Sequence, residues 1–139
     1  MKFKFLSHTA DEKFRAFGKN LEEAFENAAY AMKEIITYDK IKPRIKKKIK
    51  IASDSEEALL YDFLEQLLIL LDSKKFILSK VEKLKIERKD HSFILNASIS
   101  GDNNPKNYEI KTSIKAVTYE EMFIRKTKNK VTVQVIVDI

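Results

Sequence analysis

Residues 55–73 carry more apolar surface than one helix face can hold, and that excess constrains the fold more than any other feature of the chain. Ser53-Asp54-Ser55-Glu56-Glu57 offers overlapping capping boxes, in which a short polar side chain accepts from an amide of the first turn. The stripe behind it, Leu60, Phe63, Leu64, Leu67, Leu68 and Leu71, recurs at helical spacing, and Leu59, Ile69 and Leu70 widen it. A helix apolar over so much of its circumference has to be covered from two sides, so it is expected between two layers. Its uninterrupted apolar run, Leu67 to Leu71, is far too short to span a bilayer, and no membrane partner is expected.

The remaining patterns predict strands and one more helix. Residues 2–6 and 12–18 alternate with period two, Phe14 and Ala16 against Lys13 and Arg15. Asn20, with Glu23 three residues on, is a helix start, and Leu21, Ala24, Phe25, Ala28, Met32, Ile35 and Ile36 make one apolar face. Glu22, Glu23, Glu26, Lys33 and Glu34 occupy the other, so this helix is expected to cover the core from outside. After Pro43, Ile45, Ile49 and Ile51 mark a short strand. Leu84 and Ile86, a turn at Lys89-Asp90-His91, and the row Phe93, Leu95, Ala97, Ile99 predict two more. Gly101 to Pro105 reads as a loop, Tyr108 to Ala116 as a strand, and residues 122–137 as a hairpin turning at Lys126 to Lys130. Short connections imply antiparallel pairing. The expected fold is α+β: a single compact domain over residues 1–139, two helices packed with a largely antiparallel sheet of roughly seven or eight strands.

Composition excludes several chemistries. The absence of cysteine removes disulfides and thiolate sites, and with only Gly18 and Gly101 there is no phosphate-cradling loop. His8 and His91 stand in unrelated contexts, so neither a zinc cluster nor a nucleophilic triad is visible. The N-terminus alternates like a strand and lacks a signal-peptide core, so a cytoplasmic location is expected. The net charge of +6 is concentrated in Lys40, Lys42, Arg44, Lys46, Lys47, Lys48 and Lys50. That run is either a phosphate-contacting strip or a solvated sheet edge; no aromatic residue interleaves it to stack a base, which suits the edge reading.

Asp11, in Ser7-His8-Thr9-Ala10-Asp11, and Asp138, in Val137-Asp138-Ile139, stand at opposite ends of the sequence with no Lys or Arg in either motif. Two solvated carboxylates are one reading. If the motifs meet in the fold, the converging anionic oxygens call for a cation, and hard oxygen donors suit Ca²⁺ or Mg²⁺.

Five ordered blocks bear on the choice: His8 to Asp11, Arg15 to Ala29, Asp62 to Leu68, Lys111 to Tyr119, and Val135 to Ile139. Together they resemble the archease family over the whole length of the chain. The resemblance implies a non-enzymatic accessory protein that activates the RtcB-type RNA ligase of tRNA splicing, promoting its guanylylation and multiple turnover. It also implies a metal site, calcium first and magnesium second, at Asp11, Asp138 and the final residue, Ile139. RNA is then an indirect partner, met through the ligase. His8 belongs to the matching motif and is expected to orient the loop rather than to bind metal. Three positions depart from the family pattern: Ser7, where relatives commonly have Asp, and Tyr108 and Glu120, where they commonly have His. Two other readings remain: a basic RNA-binding or chaperone-like module built on Lys40 to Lys50, and a metal-dependent hydrolase, which lacks a second acid–base pair.

Overall fold

Among the described residues the alternations and caps resolve into seven strands and two long helices. The computed structural model describes residues 1–7 and 10–139; His8 and Thr9, and with them the expected role of His8, lie outside the described residues. In chain order the elements are β1 (Phe3–Leu6), β2 (Glu12–Gly18), α1 (Leu21–Ile36), β3 (Ile45–Ser53), α2 (Glu56–Lys74), β4 (Ile77–Lys89), β5 (Ser92–Asp102), β6 (Ala116–Thr127) and β7 (Lys130–Asp138). One antiparallel sheet has the order β1-β2-β7-β6, the other β3-β5-β4.

Both helix starts are capped as their sequences dictate. Asn20 Oδ1 accepts from the Glu23 amide at 2.9 Å, while Glu23 Oε1 accepts from the Lys19 amide at 3.0 Å. Ser55 Oγ accepts from the Ala58 amide at 3.0 Å. α2 touches β6 of one sheet and β3, β4 and β5 of the other, so it lies between layers as its apolar arc requires. Leu59, Leu60, Phe63, Leu64, Leu67 and Leu68 are buried, whereas Ile69 is half-exposed.

α1 does more than cover the core from outside. It packs on β1, β2 and β7 of one sheet and on β4 of the other. Four alanines, Ala24, Ala28, Ala29 and Ala31, are fully covered and let backbones approach closely, which the larger residues of its stripe conceal in the sequence. Phe25 of α1 stacks on Phe63 of α2 with ring centroids 6.3 Å apart, joining the helices inside the shared core.

Two segments differ from the sequence expectation. Gly101 and Asp102 belong to β5, paired with Leu78 and Ile77, rather than to the loop that follows. A Cβ on Gly101 would lie 2.0 Å from the Ile77 carbonyl oxygen, so glycine is what lets these backbones meet. Asp102 can be buried there because the Tyr108 hydroxyl donates to it at 2.6 Å, the Asn104 amide at 3.1 Å, and Arg44 Nε lies 3.2 Å away. The second difference is Tyr108 to Lys115, which alternates like a strand but is irregular. The amides of Lys111 and Thr112 both donate to the Ile36 carbonyl at the end of α1, and the Glu109 amide donates to Asp39 Oδ2. These amides find partners outside any sheet, and the strand begins at Ala116.

Candidate functional site

The sheet brings the two ends of the sequence together. β2 and β7 pair from Gly18↔Val131 to Glu12↔Val137; Asp11 precedes that last pair and Asp138 follows it. Asp11, a bend residue just before β2, and Asp138, the last residue of β7, thus flank the Glu12↔Val137 pair. Phe14, Ala16 and Gly18 are buried inward, so Asp11 shares the opposite, outer side of the sheet with Lys13, Arg15 and Phe17. Asp138 shares that side by the same alternation, since Val131, Val133, Val135 and Val137 point inward.

The surroundings of the two residues differ. Asp138 pairs with Ala116 on its other flank, and its main-chain carbonyl accepts from the Lys115 amide at 2.7 Å. Ile139 is partly buried against the core. Lys13, two residues from Asp11 on the same side, is drawn to Glu121, with Nζ 3.0 Å from Oε1. Among the described residues no three His, Asp or Glu side chains form a group able to hold a metal. The donors present are therefore the carboxylates of Asp11 and Asp138, with Ile139 beside them. Their hard oxygen chemistry fits Ca²⁺ or Mg²⁺, and ions that take six or more oxygens would complete their shell with water or a partner's groups.

Next to this pair, β6 makes a wide bulge that the sequence does not announce. Thr118 faces Ile136 and Phe123 faces Gln134, leaving Tyr119 to Met122 opposite Val135 alone. Glu121 holds a left-handed backbone, φ 53°, a conformation that costs a residue with a Cβ about 1 kcal/mol or more. Its carbonyl accepts from Gln134 Nε2 at 2.8 Å and its carboxylate meets Lys13, so the strained residue is held from two sides. Tyr119 is 54 % exposed and lies flat on Tyr61 of α2, centroids 4.3 Å apart with 6° between planes. Burial, then the nearby Asp62, raises the Tyr119 phenol above its ordinary pKa. Asp62 itself accepts from Ser53 Oγ at 2.6 Å, and Glu65 Oε2 from the Val117 amide at 3.4 Å.

The blocks Asp62 to Leu68, Lys111 to Tyr119 and Val135 to Ile139 thus meet at one end of the sheet. Of the departing positions, Tyr108 has structural work: it donates to Asp102 and accepts from the Lys42 amide. Glu120 is exposed, while its neighbour Glu121 is the anchored residue of the bulge. The Lys40 to Lys50 run falls largely on β3, an edge strand, with Lys46, Lys48 and Lys50 exposed and Lys47 turned to the side of Ile45 and Ile49.

The model of the Archease protein family matches residues 3–139. The chain belongs to the archease family. Its archease relatives include that of Sulfurisphaera tokodaii, 39% identical with 99% of each chain covered, and that of Methanosarcina mazei, 36% identical with 99% of this chain and 96% of the relative covered. The fold matches the solution structure of Methanobacterium thermoautotrophicum protein 1598, with TM-score 0.87, 36% identity and 99% of both chains covered. It also matches a Thermotoga maritima archease, described as a possible chaperone, with TM-score 0.61 and 20% identity over 98% of this chain and 96% of that one. No helix among the described residues of this archease is long and apolar enough to cross a membrane.

Proposed function

We propose that this archease is a non-enzymatic activator of an RtcB-type RNA ligase in tRNA splicing, acting in the cytoplasm and promoting guanylylation and multiple turnover. In this reading Asp11, Asp138 and Ile139 hold a divalent cation, Ca²⁺ in first place and Mg²⁺ in second. The observation that supports it is the β2–β7 register, whose last pair, Glu12↔Val137, is preceded by Asp11 and followed by Asp138. Family membership supplies the expectation of a ligase partner.

A bound cation supplies the positive charge that lets two carboxylates stand side by side. The chain's own residues prepare that place. The pairing of Glu12 with Val137 sets the neighbours of Asp11 and Asp138 opposite each other, and the Lys115 amide holds the backbone at Asp138. Glu121 diverts Lys13, a competing cation on the same side. The Tyr61–Tyr119 stack and the anchored bulge beside it form a firm wall for a partner to meet. RNA enters this reading only through the ligase.

The test is single-turnover ligase guanylylation with Asp11→Ala and Asp138→Ala. Each variant is expected to fold at neutral pH, to lose activation, and to lose any thermal shift produced by Ca²⁺. Activation equal to the unsubstituted protein in both variants removes the assignment.

A further inference from the structure

The outer side of the β1-β2-β7-β6 sheet changes character along its length. Beyond Lys13, away from Asp11, one row across the sheet reads Lys4, Arg15, Gln134, Phe123, and the next reads Phe17, Thr132, Arg125. Lys130 opens β7 beside them, paired with Thr127. These side chains line a shallow groove of ≈ 590 Å³ in which Lys4, Arg15, Arg125 and Lys130 surround Phe17 and Phe123, with no carboxylate among the described lining residues.

The cations are in contact with the rings. Arg125 lies 4.1 Å and Arg15 5.5 Å from the Phe123 centroid, and Lys130 lies 4.6 Å from that of Phe17. Arg15 is tethered, its Nε donating to Gln134 Oε1 at 2.9 Å, whereas Arg125 and Lys130 are exposed and lie against the rings. Among the described residues none of the four cations has a carboxylate partner. Four unneutralised cations gathered on one sheet face raise the local positive potential.

We propose that this groove binds single-stranded nucleic acid. Sheet-borne aromatic rings in a cationic groove stack successive bases while the cations follow the phosphates, and two such rings on neighbouring rows suit about two or three nucleotides. A base arriving on Phe123 displaces the exposed Arg125, which turns to the adjoining phosphate, while tethered Arg15 stays as the floor. Lys130 leaves the ring of Phe17 in the same way, and Lys4 meets the backbone at the other rim. An acidic peptide offers nothing to stack on the rings. A lipid surface would want protruding apolar side chains, and both rings are half-buried at the level of the sheet. The lysines on the outer side of the other sheet lack the rings: Lys80 and Lys85 pair with Glu82 and Glu87, and Lys48, Lys50, Lys83, Asn96 and Ser98 line a groove without an aromatic side chain. The proposal is independent of ligase activation, and its test contains no ligase.

The experiment titrates the intact protein into short labelled single strands, RNA and DNA in parallel, and follows anisotropy at several salt concentrations. Both strands are expected to bind. Three phosphate contacts, from Arg125, Lys130 and Lys4, give a log–log salt slope of about −2, from roughly −0.7 per contact. Arg125→Gln with Lys130→Gln should make the slope shallower by about 1.4. Phe123→Ala should weaken binding by about tenfold or more, the usual scale of one stacked base, and leave the slope alone. Lys48→Gln with Lys50→Gln, on the other sheet, should change neither. The chain has no tryptophan, so Phe123→Trp creates a single reporter at nearly preserved shape. Its emission should be quenched by oligonucleotides and not by heparin, which carries charge without bases. The proposal is overturned by absence of binding at low salt, or by loss that follows Lys48 and Lys50 rather than Phe123. Tighter binding of duplex than of single strands, equal binding to an acidic peptide or anionic vesicles, or quenching by heparin overturns it as well.

Discussion

Asn27→Asp exchanges one buried donor for an acceptor at nearly constant volume. Asn27 is 6% exposed on α1, and its Nδ2 donates to the Phe17 carbonyl at 2.6 Å, tying the helix to the point where β2 turns the Phe17 ring outward. An aspartate there faces a carbonyl oxygen it can satisfy only when protonated. Burial and that acceptor both disfavour the ionised form; Glu23 and Glu26 on the same pocket wall add to this, and Lys2, Lys19, Lys80, Lys130 and the Met1 amine at its open side oppose it. The folded pKa of the new carboxyl is therefore raised above its unfolded value of about 3.9. The sign follows from linkage: below the unfolded pKa the acid donates and little stability is lost. The penalty grows as pH rises and levels off above the folded pKa. A rise of about two units corresponds to roughly 2.7 kcal/mol at neutral pH, within the range for an unsatisfied buried hydrogen-bonding group.

For a chain of this length that is a drop in Tm of about 10 °C at pH 7, shrinking to a degree or two near pH 4. Thermal and urea unfolding between pH 4 and 8 reads it directly, with Asn27→Ala as the variant whose loss should not depend on pH. Glu26, raised first by burial and then by Glu23 and Glu22, titrates in the unsubstituted protein too, so the difference between proteins is the quantity to follow. A deficit in Asn27→Asp that is equally large at pH 4 and pH 7 refutes the argument, because lost packing does not titrate.

A C-terminal extension should weaken Ca²⁺ binding, measured by titration calorimetry, more than an N-terminal one, and equal affinities would remove Ile139 from the proposed ligands. Charge reversal at Lys46, Lys48 and Lys50 should leave ligase guanylylation at saturating protein nearly unchanged. Adding Lys47→Glu should lower Tm, because that side chain lies on the side of Ile45 and Ile49 and is only partly exposed. Tyr108→Phe should lower Tm by a few degrees at neutral pH. The Tyr108 hydroxyl is the first cause, ahead of the Asn104 amide and Arg44, that holds the Asp102 carboxyl below its ordinary pKa. A lowered pKa gives stability that is present above the unfolded value and lost as pH falls through the folded one. The gap between variant and parent should therefore close in acid, as an acid-unfolding series would show.

What the sequence made legible was local. Capping at Asn20 and Ser55 and the turns at Asp90-His91 and Lys128-Asn129 depend on neighbours a few residues away, and each appears where its residues demand. Tyr108 to Ala116 misled because period two records only that one side of a segment is covered. It cannot tell a sheet neighbour from the end of a helix, and here the Ile36 carbonyl supplies the partner. A meeting of Asp11 with Asp138 was a conditional inference from chemistry, and what bears on it is the non-local β2–β7 pairing, which sets their neighbours Glu12 and Val137 opposite each other.

The same limit hid the cationic face. Lys40 to Lys50 is conspicuous because its charges are consecutive, yet alternation sends them to different sides of an edge strand. Lys4, Arg15, Phe123 and Arg125 come from three strands and stand far apart in the sequence, so no window of residues contains them. The register gathers them, and it sets Asp11 on the same side of β2 as Phe17, six residues and about 20 Å away at some 3.3 Å per residue. One sheet face is thus acidic at one end and cationic with aromatic rings at the other. A cation at the acidic end and a nucleic-acid strand at the cationic end would not compete for space. In the assays above, Asp138→Ala should therefore leave strand binding intact, and Phe123→Ala should leave the Ca²⁺ shift intact.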